Sequence, residues 1–267
     1  MQLTVDGSIV FAATGGRPHA AERPLAVFLH GAGLDHTVWA LQSRWLAFHG
    51  WNVLAVDLPG HGASAGPPLP TIEAMAGWVV ALLNAVPAAN AVLLGHSMGS
   101  LIALQAAATA PDRIAKLVLI GTAAAMPVHP DLLAAAKGNE PAAIDMVNLW
   151  GHGFRAGLGP SPAPGIWMVG IGRRILERAA PGVLFADLSA CNAYAGGMAA
   201  AAATTAPTLV FCGEMDQMTP LKSGRALAAA IDRSTLEVAE GAGHMLLAER
   251  PDQLLAKLAT HLDSSIL

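Results

Sequence analysis

Apolar positions follow two alternating patterns along the chain. Short runs are apolar at nearly every position: Leu25-Ala26-Val27-Phe28-Leu29, Val53-Leu54-Ala55-Val56, Ala91-Val92-Leu93-Leu94, Lys116–Gly121 and Thr208–Gly213. A run apolar on both faces suits a strand in a sheet covered on both sides. Between these runs lie stretches with helical spacing: Thr37–Phe48, Thr71–Ala85, Met98–Ala108, Pro220–Ile231 and Pro251–Leu262. Trp39, Trp45 and Leu46 are core candidates in the first, and Thr71 with Glu73 gives the second a capping signal. Leu3–Ala12 is rich in β-formers around Asp6-Gly7 and predicts a hairpin or a bent strand pair. Thr235–Val238 predicts a last strand. Strands alternating with helices predict a mostly parallel sheet wrapped by helices.

The alternation stops between residues 126 and 202. No buried strand is predicted there. Helices are predicted at Asp131–Lys137, Ala142–Trp150 and Ile166–Arg178, interrupted by the Gly- and Pro-rich stretch 157–165. This divides the chain into a core, 1–125 with 203–267, and an inserted helical cap or lid, 126–202.

Composition narrows the class. With 54% hydrophobic and 13% charged residues in 267, the chain predicts a large packed core and excludes disorder. A net charge of −4 offers no basic footprint for nucleic acid. Two cysteines, Cys191 and Cys212, fit a reduced, cytoplasmic setting and no disulfide framework. The uncharged stretch Ala74–Pro111 is broken by Asn84, Pro87, Asn90 and Gly95-His96-Ser97. Its longest apolar piece is half of the roughly 20 residues a membrane span needs. The N-terminus shows no signal-peptide pattern.

Gly95-His96-Ser97-Met98-Gly99 carries the strongest chemical signal. It fits G-x-S-x-G, follows a predicted strand and opens a predicted helix. So tight a turn strains the serine backbone, and a Cβ at Gly95 or Gly99 would collide with neighbouring elements. A nucleophilic serine needs a base and a group to orient it. His244, in Gly241-Ala242-Gly243-His244 after the last predicted strand, is the candidate base. Asp216, in Gly213-Glu214-Met215-Asp216, is the candidate orienting acid, with Glu214 as its rival. No acid ends the strand at Gly121. Oxyanion donors are expected from the N–H of Met98 and of Ala32, in the loop His30-Gly31-Ala32-Gly33.

These motifs, with Asp57-Leu58-Pro59-Gly60-His61-Gly62, resemble the α/β-hydrolase superfamily in order and over nearly the whole chain outside the insertion. The resemblance implies an α/β fold with an eight-stranded mostly parallel sheet, and the triad Ser97, Asp216 and His244. Serine at 97 departs from the aspartate of haloalkane dehalogenase-like and epoxide hydrolase-like relatives and from the cysteine of dienelactone hydrolases. The oxyanion loop is not the His-Gly-Gly-Gly of hormone-sensitive-lipase-like esterases. Ser100 stands where many relatives have a second glycine.

The expected activity is hydrolysis of a small or medium, largely uncharged ester through an acyl-enzyme. The alternatives are a C–C bond hydrolase of the meta-cleavage-product type or a thioesterase with the same triad. From another class, the alternative is a non-catalytic ligand-binding member of the fold. No cofactor or metal is expected, and the only partner expected is a small-molecule substrate, with no nucleic acid and no membrane. Pocket candidates are His30, Met146, Trp150, Trp167, Met218 and Met245. Met98 and Met215, like Met218 and Met245, fit either a pocket wall or the core. His129 and His152 read as exposed, His61 as structural, and Arg173, Arg174 and Arg178 as a solvated helix face.

Overall fold

A computed structural model describes residues 1–154, 156 and 167–262. Its strands are β1 (Gln2–Val5), β2 (Ser8–Ala13), β3 (Leu25–Leu29), β4 (Asn52–Val56), β5 (Ala91–His96), β6 (Ile114–Ile120), β7 (Thr208–Gly213) and β8 (Ser234–Ala239). They form one sheet in the order β1-β2-β4-β3-β5-β6-β7-β8. The β1–β2 and β2–β4 pairings are antiparallel. Every other pairing is parallel. The helices of the first half are α1 (Ala40–Phe48), α2 (Ile72–Asn84) and α3 (Met98–Thr109). Between β6 and β7 stand α4 (Pro130–Lys137), α5 (Pro141–Gly151), α6 (Met168–Arg178), α7 (Val183–Ala193) and α8 (Gly197–Ala203). Then follow α9 (Leu221–Ala230), the short α10 (Leu246–Glu249) and α11 (Pro251–Leu262).

Side chains alternate across a strand, and this explains the two-faced apolar runs. Leu25, Val27 and Leu29 of β3 join one core while Ala26 and Phe28 join the other. Leu93 and Leu94 of β5 divide in the same way, as do Leu119 and Ile120 of β6. The first core is closed by α2, α3 and Leu227 of α9; the second by α1 and α11. Each fully buried Leu, Val or Phe contributes roughly 1.5–3 kcal/mol, so these faces dominate stability.

The sequence reading differs from the structure in a few elements. The stretch Thr37–Phe48 is not one helix: Asp35 caps a 3₁₀ turn at His36–Trp39 and α1 starts at Ala40. Helices α7, α8 and α10 were not expected. Of the helix expected at Ile166–Arg178, Ile166 lies outside the described residues and α6 begins at Met168.

The contact that positions the site is backbone against backbone. A Cβ on Gly95 would lie 2.1 Å from the carbonyl oxygen of Gly99, and one on Gly99 would lie 2.1 Å from that of Leu29. Strands β3 and β5 and helix α3 therefore meet at hydrogen-only distance. Gly99→Ala is expected to cost about 3 kcal/mol, a fall in Tm of roughly 6–12 °C by calorimetry. Gly77→Ala is the control. A Cβ on that exposed glycine of α2 meets nothing within 4 Å, and the change should stabilise by about 0.5–1 kcal/mol.

Candidate active site

Ser97 sits at the corner between β5 and α3 with φ 53° and ψ −123°. A non-glycine residue here costs on the order of 1–3 kcal/mol and persists only where its surroundings enforce it. Two hydrogen bonds do so in this corner. The Ser97 N–H donates to the Ile120 carbonyl at 2.9 Å, and its own carbonyl accepts from Ser100 N–H at 2.8 Å. Ser100 also donates its hydroxyl to that carbonyl at 2.6 Å. The side chain at the position after the elbow thus braces the turn.

His244 and Asp216 meet at the sheet's C-terminal edge. The His244 Nδ1–H donates to Asp216 Oδ2 at 2.8 Å, and both residues are buried. The carboxylate is built into its own loop. Oδ1 accepts from the N–H of Met218 (2.9 Å) and Thr219 (2.8 Å), and Oδ2 accepts from the Thr219 hydroxyl at 2.7 Å. Burial pushes the Asp216 pKa up, but the neighbouring His244 and these hydrogen bonds outweigh it and hold the group below the usual carboxylate range. Glu214 is exposed and accepts from Gly241 N–H at 2.9 Å, holding the neighbouring turn instead of the imidazole. With Nδ1 donating, Nε2 of His244 carries a lone pair. It is buried and has no partner among the described residues.

The ring of His244 lies against the end of β6. A Cβ on Gly121 would come within 3.1 Å of its Cε1 and Nδ1. From the other side, His96 Nε2 lies 2.9 Å from the His244 carbonyl. Burial, then the nearby His244, push the His96 pKa down to about 3. The ring is therefore neutral, with Nε2–H as donor, and it anchors the backbone of His244.

Ala32 and Ser97 line the same cavity of about 310 Å³, together with His96, Thr219 and His244. The Ala32 N–H has no acceptor among the described residues, and the Met98 N–H is one of the free donors that open α3. Trp150, Met218 and Met245 line the cavity. Other expected pocket residues lie elsewhere. Met146 packs within the helical insertion. Trp167 is 74% exposed on its outer surface. His30 is fully buried just after β3, where its Nε2 accepts from Leu58 N–H at 3.1 Å. Met98 is core and Met215 is exposed. His152, read as exposed, is buried with Nδ1 2.9 Å from the Asn148 carbonyl. His129 is exposed, caps α4 and stands at the cavity rim.

The insertion is tied to the His244 loop through the backbone. The Gly151 carbonyl accepts from the N–H of His244 (3.0 Å) and Met245 (2.8 Å). The buried Glu249 carboxylate gathers Gly153 N–H (3.0 Å) and Gly243 N–H (3.1 Å). Thr219 and Glu249 were missed by the sequence reading, and Ser100 was noted there without its bracing role; these roles depend on contacts that no local motif marks. Among the described residues, Asp35, His36 and Asp57 bring possible metal-ligand atoms within 4.8 Å of one another. These atoms are engaged within the protein. Asp57 Oδ1 lies 2.8 Å from His36 Nδ1, and Asp35 Oδ2 pairs with Arg178 at 2.9 Å.

Comparison with known proteins gives the family. Residues 26–258 match the model of the alpha/beta hydrolase family. The chain is 32% identical over 250 residues to a pimeloyl-[acyl-carrier protein] methyl ester esterase of Chromobacterium violaceum, covering 90% of this chain and 95% of that one. A second esterase of that name, from Aromatoleum aromaticum, is 42% identical over 113 residues, 42% of this chain and 43% of its own, so that match spans less than half of either chain. The enol-lactonase of Burkholderia xenovorans LB400 superposes with TM-score 0.86 at 26% identity, over 98% of this chain and 99% of that one.

Proposed function

The chain belongs to the α/β-hydrolase family and is a hydrolase, and on that premise we propose that it cleaves a small or medium, largely uncharged carboxylic ester through an acyl-enzyme on Ser97. The observation that carries this reading is the buried Asp216–His244 pair, joined at 2.8 Å and facing the cavity that Ser97 also lines. The Nε2 of His244 takes the proton of the Ser97 hydroxyl as Oγ attacks the ester carbonyl carbon. The resulting oxyanion accepts from the N–H of Ala32 and Met98; one such donor typically contributes about 2.7–4 kcal/mol to the transition state. The imidazolium is held by Asp216 and then protonates the departing alcohol. Water, deprotonated by the same Nε2, attacks the acyl-enzyme and frees the acid and Ser97.

The cavity supports the substrate class. Leu34 from the core faces Met126, Leu132, Val147, Leu184 and Leu188 from the insertion, and among the described residues no Arg or Lys lines the cavity. An apolar acyl chain fits these walls; an anionic group finds no Arg or Lys among the described residues to pair with. The insertion acts as the cap that supplies most of these walls. The names of the two esterases and the enol-lactonase all specify carboxylic ester bonds, which supports the same class.

A p-nitrophenyl ester series from acetate to decanoate tests the reading. Turnover is expected with an optimum between butanoate and octanoate. Absence of turnover from folded enzyme would move the assignment to C–C or thioester cleavage by the same residues.

A further inference from the structure

The Ala32 N–H lies between two peptide units that side chains hold in place. The Gly31 carbonyl accepts from His30 Nδ1–H at 2.9 Å and from Leu34 N–H at 3.2 Å. A trans peptide holds its C=O and N–H antiparallel, so fixing that carbonyl fixes the direction of the Ala32 N–H. The next unit is held from the other side. Gly33 N–H donates to Asp187 Oδ2 at 2.8 Å, across 154 residues of sequence. Asp187 stands on α7, within the insertion, and is fully buried.

The same oxygen of Asp187 lies 2.8 Å from His61 Nε2. The other ring nitrogen of His61 is 3.0 Å from the Pro59 carbonyl. Both nitrogens face groups that only accept, so the ring satisfies both by carrying a proton on each. Burial opposes that charge, but the Asp187 carboxylate, the Pro59 carbonyl and Asp57 outweigh it and hold the His61 pKa above its usual value. The adjacent His30 ring, 4.8 Å away, is pushed down to about 4 by burial and by His61. Asp187 Oδ1 has no partner among the described residues, so both bonds fall on one oxygen. A buried ion pair contributes little net stability, because desolvation offsets its Coulombic gain. Closing the seam would not by itself require one.

We infer that Asp187 is a positioning residue: from the insertion it fixes the Ala32–Gly33 peptide, and with it the direction of the Ala32 N–H beside Ser97. The inference rests on the ester-hydrolase reading of Ser97. Asp187→Ala removes the acceptor of both bonds. Because the oxyanion contact tightens only in the transition state, kcat is expected to fall roughly 10- to 100-fold while KM stays within about twofold. Active serines are counted by exhaustive labelling with a fluorophosphonate, so that kcat refers to competent sites and a partly unfolded sample does not imitate the effect. The control is Arg178→Gln, which breaks the 2.9 Å pair with Asp35 across the same seam and leaves the loop peptides alone; its kcat should match wild type. Unchanged kcat per labelled site in Asp187→Ala, or an equal fall in Arg178→Gln, overturns the inference. If Asp187→Ala does not fold, His61→Gln tests the same tie and should lower kcat in the same way, less steeply; unchanged kcat there overturns it too. Failure of the underlying reading looks different, because wild type would then neither turn over the ester nor take the label.

Discussion

Ser97→Ala is expected to cut ester turnover roughly 10⁴- to 10⁶-fold while leaving the fold in place. The two halves of this expectation have separate causes. The chemistry goes because alanine offers no oxygen at the corner that lines the His244 cavity. The fold stays because the corner is held by the backbone: Ser97 N–H on Ile120, its carbonyl on Ser100, and the Gly95–Gly99 contact beneath. Alanine has the same Cβ as serine, so it is as strained at φ 53° and no more so. Turnover of the p-nitrophenyl ester found best for wild type, together with circular dichroism, checks both halves. Turnover within tenfold of wild type from a folded Ser97→Ala protein would place the nucleophile elsewhere.

Asp216→Asn is expected to lower kcat roughly 10⁴-fold. The asparagine oxygen can still accept from Met218 and Thr219, which keeps the loop. Its amide then faces His244 Nδ1 and makes that nitrogen the acceptor. The ring proton moves to Nε2, and the base loses the lone pair that receives the serine proton. Glu214→Gln should change little, since a glutamine oxygen still accepts from Gly241 N–H. A larger loss in Glu214→Gln than in Asp216→Asn would sink the assignment. The pH profile gives a further check. Asp216 is held below the usual carboxylate range, so it stays ionised as pH falls through ordinary carboxylate values. Loss of activity on mild acidification therefore comes from another group.

Much of this fold is legible locally. The runs of β3 to β7 are apolar on both faces because the sheet is covered on both faces, and that condition is written into consecutive residues. The elbow is legible because two glycines at fixed spacing are required by backbone contact. The loops bearing Asp216 and His244 are marked by turn residues after strands. The unread parts depend on distant packing. Helices α7 and α8 are so rich in alanine and apolar residues that no amphipathic stripe marks them. Trp167 is apolar yet exposed, and His152 is polar yet buried, because each environment is set by helices distant in sequence. Asp187 is a lone carboxylate in an apolar helix. That was its one local signal, and its partners Gly33 and His61 were visible only in three dimensions.

The Gly151 carbonyl, bonded to two successive N–H groups of the His244 loop, bears on how such chains can be recombined. The insertion interrupts the core in chain order, yet it is not an interchangeable module. A graft from a relative must bring a carbonyl at the Gly151 position to meet the recipient's histidine loop. Excision would leave the His244 and Met245 N–H groups without their acceptor and Glu249 without one of its donors. Core and insertion should accordingly melt as one cooperative unit, and chimaeras that exchange the helices alone should lose the placement of the base before they lose the sheet.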